Sequence, residues 1–406
     1  MARLLLLVPT TSYRISDFLS AAHRLDIEVA VGSERRQVLE KYADGGTVTL
    51  SFQKPERAIG QIREYHARFP LAAIVPTDEE TTLLASRAAA ALGLPHNPPE
   101  AVAAAGNKLL FRQTMAAAGT PGPAFSVISP DQDWAAPATE PAYPCVLKPL
   151  SLSASQGVIR VDDPSQFLEG LARIHRILEA LDHVGPRDIL VEAYLPGPEV
   201  ALEGLLDRGA LRVLAIFDKP DPLDGPYFEE TIYVTPSRLP RGQQGAIEAA
   251  TSRAVAALGL QNGPIHAELR LSPQGPVVIE LAARSIGGLC GRALKFGVGP
   301  SLEDLILRHA MGLPIDSMAR DGAAAGVMMI PIPRRGRLVA VEGLARAESV
   351  SGIEAVTITI ARGQPVVPLP EGNRYLGFIF ASADTPSEVE AALRAAHSSL
   401  DIRIES

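Results

Sequence analysis

Short apolar runs alternate with amphipathic segments through the first hundred residues. Residues 4–8 form a continuous apolar run, typical of a strand buried on both faces, and residues 15–25 have the spacing of an amphipathic helix. The same patterns predict further strands at 27–31, 48–50 and 72–75 and further helices at 55–69 and 81–92. Strands that alternate with helices indicate a parallel sheet with right-handed crossovers.

The pattern changes beyond a predicted linker at residues 96–99. A helix is predicted at 107–118, and short strands then surround a long helix at 164–181. A further α/β stretch extends to residue 320, and the last segment shows strands at 326–332, 355–360 and 375–381 followed by a helix. Thr385, Pro386 and Glu388 mark the start of that helix as an N-cap, a first-turn proline and a capping-box acid.

Composition and charge narrow the classes of protein. The 406 residues include 38 Lys plus Arg against 46 Asp plus Glu, a net charge of −8 that argues against nucleic acid as a partner. Two cysteines cannot build a disulfide framework, which indicates a reducing, cytoplasmic compartment. The apolar run at 4–8 is too short for a signal or a membrane span, so no membrane association is expected.

The first candidate for chemistry is a hairpin with a lysine and a serine-rich loop. Lys148 ends an apolar strand, and Ser151, Ser153 and Ser155 precede Gly157 and a second strand. Such a loop can close over phosphates, with hydroxyl and N–H donors and one lysine charge. On this segment alone, a surface hairpin with a solvated lysine is the better explanation.

A second segment places two acids around a Gly/Pro turn. Glu192 ends an apolar strand, and Glu199 begins the next one after Pro196-Gly197-Pro198. These carboxylates can accept hydrogen bonds from an adenine amino group or from ribose hydroxyls. A charged hairpin end explains the segment about equally well.

The third segment is the most specific. Two strands joined by Ser-Pro-Gln-Gly form an antiparallel hairpin in which Glu268 and Glu280 lie across from each other on one face. Paired carboxylates repel unless a cation holds them, and an oxygen-only ligand set facing phosphates favours Mg²⁺. Arg284 follows the second strand, and the backbone of Gly287-Gly288 can approach a bound carboxylate closely. Here the functional interpretation is favoured.

In order and spacing these segments resemble an ATP-grasp ligase, and more closely the ATP-grasp L-amino-acid (dipeptide) ligases. Asn107-Lys108 through Arg112 resembles the first lysine helix of that family, and Pro144 through Gly157 resembles its second lysine and phosphate loop. The resemblance covers nearly the whole chain. It implies a Rossmann-like preATP-grasp domain at 1–105, an ATP-grasp domain at 106–320 with a mobile lid at about 125–195, and an α+β C-terminal accessory domain at 321–406.

The resemblance also implies roles for individual residues. ATP would be bound by Lys108, Lys148, Ser153, Ser155, Gly157, Glu192 and Glu199, and Mg²⁺, with Mn²⁺ as the alternative, by Glu268 and Glu280. Arg284 and Lys148 would be the catalytic residues. The substrates would be bound by Glu230, Tyr233, Arg284, Gly287 and Gly288. Ala282 replaces an asparagine that is usual in the family as a metal ligand, and Tyr233 stands where a histidine is frequent.

The implied activity is ATP-dependent ligation of an amino acid carboxylate to an amine through an acyl phosphate, with release of ADP and phosphate. Two alternatives stay open: a carboxylase that uses carboxyphosphate, and an ATP-binding regulator without catalysis, for which Ala282 is the hint. The expected partners are ATP and small amino acid or amine substrates. The sequence leaves the oligomeric state open, with a homodimer as the commonest outcome for such enzymes.

Overall fold

The computed structural model describes residues 3–35, 45–181, 185–297 and 299–405. Within these ranges the helices are α1 (Ile15–Arg24), α2 (Pro55–Arg68), α3 (Glu79–Leu92), α4 (Pro99–Ala105), α5 (Lys108–Ala117), α6 (Pro164–Ala180), α7 (Arg241–Leu258), α8 (Leu302–Ala310), α9 (Leu344–Glu348) and α10 (Pro386–Ser398). The strands are β1 (Arg3–Leu7), β2 (Val29–Ser33), β3 (Thr47–Thr49), β4 (Leu71–Pro76), β5 (Phe125–Ile128), β6 (Cys145–Pro149), β7 (Ile159–Val161), β8 (Ile189–Ala193), β9 (Glu199–Asp207), β10 (Ala210–Asp218), β11 (Ile232–Thr235), β12 (Gly263–Ser272), β13 (Gly275–Ala282), β14 (Ala324–Ile330), β15 (Gly336–Glu342), β16 (Ile353–Ile358), β17 (Pro365–Val366), β18 (Gly377–Ala383) and β19 (Asp401–Glu405).

The N-terminal sheet is parallel, as the alternation of strands and helices predicts. Its strand order is β3-β2-β1-β4, and every residue of the central strand β1 is buried. Burial on both faces explains why this strand appears in the sequence as an uninterrupted apolar run. The predicted Rossmann-like α/β unit is thus confirmed.

A second, antiparallel sheet forms the region predicted as the lid. Its order is β5-β8-β6-β7, and α6 covers one face. Phe167, Leu171 and Ile174 of that helix pack with Leu147 and Val161 of the strands in a hydrophobic cluster of their own. A separate small core of this kind lets the unit hold its shape independently of the larger sheet.

The central sheet has eight strands in the order β13-β12-β9-β10-β11-β14-β18-β16, and its pairings are antiparallel. Helix α7 packs against one face near β13, whereas α10 covers β14 and β18. The last three strands of this sheet come from the C-terminal segment. The sheet therefore continues across the boundary predicted at residue 320, and the division into domains stays a prediction.

The segment predicted as a linker at 96–99 is irregular at 96–98, where it connects α3 with a helix, α4, that was not predicted. Helix α4 begins at Pro99, where a proline at the first helical position loses no hydrogen bond. The Asn97 side-chain oxygen accepts from the backbone N–H groups of Gln261 (2.7 Å) and Asn262 (2.8 Å), which fixes the segment to the loop before β12. The segment therefore connects α3 to α4 and also contacts the loop before β12.

The predicted start of the last helix is confirmed. Thr385 caps α10, its side chain accepts from the Glu388 N–H, and the Glu388 carboxylate accepts from the Thr385 N–H. The basic residues Arg334 and Arg335 lie in an exposed bend, and Arg337 lies in β15, which pairs with β17 and β19. In the described part of the chain, no helix is both long and apolar enough to cross a membrane.

Candidate active site

A cavity of about 810 Å³ lies where the N-terminal, lid and central sheets meet. It is lined by residues of the lid and central sheets, by the loops that follow β1 and β4 in the N-terminal unit, and by the segment before β18. The predicted site residues among them are Lys108, Lys148, Ser153, Ser155, Glu192, Glu199, Glu230, Tyr233, Glu268, Glu280, Arg284, Gly287 and Gly288. The fold thus brings together residues that are up to 180 positions apart in the sequence.

Gly157 is the predicted site residue outside the cavity lining. Its N–H donates to the Pro370 carbonyl at 2.9 Å, and a Cβ at this position would lie 3.0 Å from the Pro149 ring. With φ at +72°, it adopts the left-handed conformation that glycine tolerates. Gly157 therefore shapes the end of the loop, while Ser153 and Ser155 face the cavity.

Lys148 and Arg112 enclose the carboxylate of Glu192 on the lid side of the cavity. Lys148 Nζ lies 2.5 Å from Glu192 Oε2, and the Arg112 guanidinium forms an ion pair with Oε1. Arg112 also donates to the carbonyls of Val278 (3.0 Å) and Ile279 (2.7 Å) on β13. Burial disfavours the charged carboxylate, but the two cations outweigh it and lower the pKa of Glu192 to about 2.

Lys108 connects the phosphate loop with the central sheet. As the first residue of α5, it follows the N-cap Asn107, and its Nζ donates to the Leu152 carbonyl at 2.7 Å. The same ammonium lies 3.8 Å from Glu280 Oε2. The Glu280 carboxylate is half-exposed, so its pair with Lys108 is open to the cavity. Lys148 lines the same cavity, so both lysines are available to an anion that enters it.

The predicted facing acids of the β12–β13 hairpin are confirmed as a cross-strand pair. Glu268 and Glu280 are register partners across the two strands. His266 Nε2 lies 3.5 Å from Glu268, and His266 Nδ1 lies 3.2 Å from the buried Glu203 on β9. Burial alone would lower the pKa of His266, but hydrogen bonds with these two acids raise it to about 9.

A buried lysine outside the predicted set connects three of the cavity acids. Lys219 Nζ lies 2.6 Å from Glu199 and 3.5 Å from Glu268 and also forms an ion pair with Glu230. The three carboxylates approach within 4.8 Å of one another. Burial opposes the charge on Lys219, but the three acids outweigh it and raise its pKa.

Glu230 and Tyr233 lie side by side at the end of this cluster. The Tyr233 hydroxyl donates to Glu230 Oε1 at 2.5 Å, and its ring lies under Lys219 Nζ at 4.9 Å from the centroid. Burial and the neighbouring acid Glu268 raise the pKa of Glu230, although Lys219 counteracts this. A further positive group approaching Glu230 would therefore favour its ionised form.

Arg284 lies at the exit of β13, next to the two predicted glycines. Its Nη1 donates to the Ser285 carbonyl at 2.9 Å, and its Nε lies 2.8 Å from Glu79 Oε2. Gly288 has φ at +62°, and a Cβ there would lie 3.0 Å from the Phe378 ring. A larger residue at position 288 would thus be strained and crowded.

Sequence reasoning assigned no role to Arg112, Lys219, His266 and Arg270, although their partners are predicted site residues. Two of these four carry a usable signal. His266, Glu268 and Arg270 alternate along β12 and so share one face, as Glu199 and Glu203 do on β9. The register then pairs His266 with Glu203 and Arg270 with Glu199.

Three family models match successive parts of the chain. They describe an ATP-grasp N-terminal domain at 19–96, an ATP-grasp domain at 141–293 and the L-amino acid ligase C-terminal domain 2 at 328–405. The crystal structure of L-amino acid ligase from Bacillus licheniformis is similar, with a TM-score of 0.80 and 26% identity over 100% of this chain and 99% of that one. The chain therefore belongs to the ATP-grasp superfamily.

Curated relatives share smaller parts. Alanine–anticapsin ligase of Bacillus subtilis (strain 168) is 28% identical over 63% of this chain and 57% of its own length. Carnosine synthase 1 of Gallus gallus is 30% identical over 50% of this chain and 23% of its own. Within the superfamily, the chain is an ATP-dependent carbon–nitrogen ligase of the L-amino-acid ligase type.

Proposed function

We propose that this protein joins the carboxylate of an amino acid to an amine, most often that of a second amino acid, at the cost of one ATP. The observation that carries the proposal is the set of groups that line the cavity of about 810 Å³. It combines Lys108 of α5 and Lys148 of the lid sheet with the facing acids Glu268 and Glu280, and it also contains Arg284 and Glu230. This set of groups is what activation of a carboxylate by phosphoryl transfer requires.

We further propose that the chain divides into units at 1–105, 106–320 and 321–406, with a lid at about 125–195. The three family matches each fall inside one of these units. The separate hydrophobic cluster of the lid sheet supports its movement as one body. Closure of such a lid would exclude water from a reactive intermediate.

At the nucleotide end, Lys108 and Lys148 would bind the phosphates, and Ser153 and Ser155 would donate from the loop. Glu192 lies on β8 opposite Val146 of β6, at the junction between the lid and central sheets. We assign Glu192 to the adenine side and Glu199 to the ribose. Both carboxylates are held by buried cations, so their acceptor atoms are fixed before the nucleotide enters.

The hairpin acids fit a divalent cation by the chemistry of their donors. Glu268 and Glu280 supply carboxylate oxygens across one strand pair, which suits Mg²⁺ or Mn²⁺, whereas Ala282 supplies none. When bound, such an ion would neutralise charge on the β- and γ-phosphates. His266 and Lys219 would hold the Glu268 carboxylate in its ionised form, because both lower its pKa against the effect of burial.

The reaction follows from the poor reactivity of a carboxylate. One carboxylate oxygen attacks the γ-phosphorus of ATP, the bond to the β-γ bridging oxygen breaks, and ADP leaves with that electron pair. The amine then attacks the carbonyl carbon of the acyl phosphate, phosphate leaves, and the amine loses a proton to give the amide. Arg284 would stabilise charge on the acyl phosphate, and Gly287-Gly288 would bind the substrate carboxylate. Glu230 with Tyr233 would bind the substrate ammonium.

A screen of amino acids, singly and in pairs, with ATP and Mg²⁺ tests the proposal. We expect ADP, phosphate and a product whose mass is that of acid plus amine less one water, in equal amounts. Bicarbonate-dependent ADP release without an amino acid would refute the proposal in favour of a carboxylase. Absence of ADP release across a broad panel of acids and amines would refute it in favour of an ATP-binding regulator.

A further inference from the structure

A side chain of the N-terminal unit contacts the proposed catalytic arginine. Glu79 is the first residue of α3, three positions after the end of β4, and its Oε2 lies 2.8 Å from Arg284 Nε. These residues are 205 positions apart, and both side chains are largely buried. The ion pair thus joins two units of the fold at the wall of the cavity.

The pair leaves a defined part of the guanidinium for a ligand. Nε faces Glu79, and Nη1 donates to the Ser285 carbonyl at 2.9 Å. Burial would lower the pKa of Arg284, but the nearby carboxylates, Glu79 foremost, raise it. Glu79 Oε2 is buried and forms no hydrogen bond within the described residues, so the ion pair with Arg284 is what offsets the cost of burying its charge.

The two residues after Arg284 are also held by side chains of other elements. Arg14, from the N-terminal unit, donates through Nη2 to Ser285 Oγ at 2.8 Å and through Nη1 to the Thr77 carbonyl at 2.9 Å. The Ile286 N–H donates to both oxygens of Glu203, at 3.1 and 3.0 Å. Because Ser285 and Ile286 are both fixed, the backbone near Arg284 is well placed, and only the Arg284 side chain needs a further contact to orient it.

We propose that Glu79 is a positioning residue that holds Arg284 in the orientation needed for phosphoryl transfer. An arginine side chain loses much rotamer freedom when it is fixed in one orientation, and a preformed ion pair removes that loss from the reaction step. The N-terminal unit would thereby contribute to the chemistry without touching substrate. This inference rests on the proposed function of Arg284.

The first test compares Glu79→Gln with Glu79→Asp in the full-length protein. Glutamine keeps the shape and loses the charge, so we expect kcat for ADP formation to fall about 10- to 100-fold, less than the loss of a direct donor. The KM for ATP should stay within about twofold of the wild-type value. Asp, which keeps the charge on a shorter side chain, should restore part of kcat.

The matched control is Glu56→Gln. Glu56 pairs with Arg87 on the exposed surface of the same unit and lies outside the cavity. We expect unchanged kinetics for this variant. Unfolding temperatures of all variants show whether a loss of activity follows from a loss of folded protein.

A double-mutant cycle separates positioning from a merely structural role. If Glu79 acts through Arg284, Glu79→Gln should change kcat by less than about twofold in an Arg284→Lys background. Multiplicative losses, or an effect of Glu79→Gln on KM alone, would overturn the inference. If Arg284→Lys itself left ADP formation at the wild-type rate, the proposed role of Arg284 would fail, and the inference with it. Wild-type protein that releases no ADP with any acid would refute the proposed function as well.

Discussion

Replacement of Lys219 by methionine tests the electrostatics of the cavity directly. Lys219 is 3% exposed and pairs with Glu199, Glu230 and Glu268. Methionine fills a similar volume without charge, so the variant keeps the packing and leaves three buried carboxylates close together. Removal of one partner of a buried ion pair costs about 3–5 kcal/mol.

The loss should depend on pH, with a sign that follows from Glu230. Burial already raises the pKa of this acid, and Lys219 counteracts that effect. Without Lys219 the pKa rises further above its value in the unfolded chain, so the folded state binds a proton more strongly. The variant is then destabilised little near pH 4.5, and its loss of stability grows as the pH rises towards the raised pKa of Glu230.

The assay is the unfolding temperature of Lys219→Met and wild type at pH 5 and pH 8, with and without Mg²⁺. We expect the deficit of the variant to be larger at pH 8. We also expect Mg²⁺ to stabilise the variant more than the wild type, because a cation can replace the missing ammonium among three carboxylates. Lys295→Met is the control, since its exposed pair with Glu354 is worth less than about 1 kcal/mol. An equal deficit at both pH values would refute this reasoning.

Three further perturbations follow from contacts elsewhere. The wild type should lose about 3 kcal/mol of stability as the pH falls from 4.5 to 2, because the pKa of Glu192 in the folded protein is about 2, and Glu192→Gln should not show this loss. Denaturation at several acidic pH values measures the difference, and identical pH profiles of stability for the two proteins would contradict the prediction. Arg173→Gln removes the bidentate pair with Glu371 that ties the lid helix to the C-terminal segment. We expect faster hydrogen exchange in the phosphate loop, with less than about 1 kcal/mol lost in stability. Unchanged exchange would show that the Arg173–Glu371 ion pair does not hold the loop in place. Thr385→Ala should cost about 1 kcal/mol in urea denaturation because it breaks the capping box with Glu388, and an unchanged midpoint would contradict this.

Local patterns predicted much of the fold because the elements concerned are stabilised by their own sequence. The buried strand β1 and the capped helix α10 are examples in which apolar spacing or a capping motif specifies the element. Helix α4 was missed because its start at Pro98-Pro99 has the composition of a loop, and tertiary contacts with the loop before β12 hold it in place. The continuity of the central sheet from β11 into β14 could not be predicted either, since it depends on pairing between residues 90 to 96 positions apart.

The same distinction applies to the site. Glu268 and Glu280 could be paired from the sequence because one tight turn fixes their register. Lys219 could not be assigned, because its partners lie on other elements and a single buried lysine carries no local signature. Gly157 was placed correctly as a loop glycine, but the sequence did not reveal that its N–H donates to the Pro370 carbonyl.

The charged groups that we propose for ligand binding already have internal counter-ions. Lys148 is paired with Glu192, and Arg284 is paired with Glu79. An unpaired charge in such a buried wall would cost several kcal/mol, so the pairs hold the groups ionised and oriented in advance. Ligands would then bind by exchange of partners, and the net charge of −8 has no bearing on ATP affinity. Lys108 and Glu280, at 3.8 Å and open to the cavity, form the loosest of these pairs, so we expect phosphate and cation to enter between them.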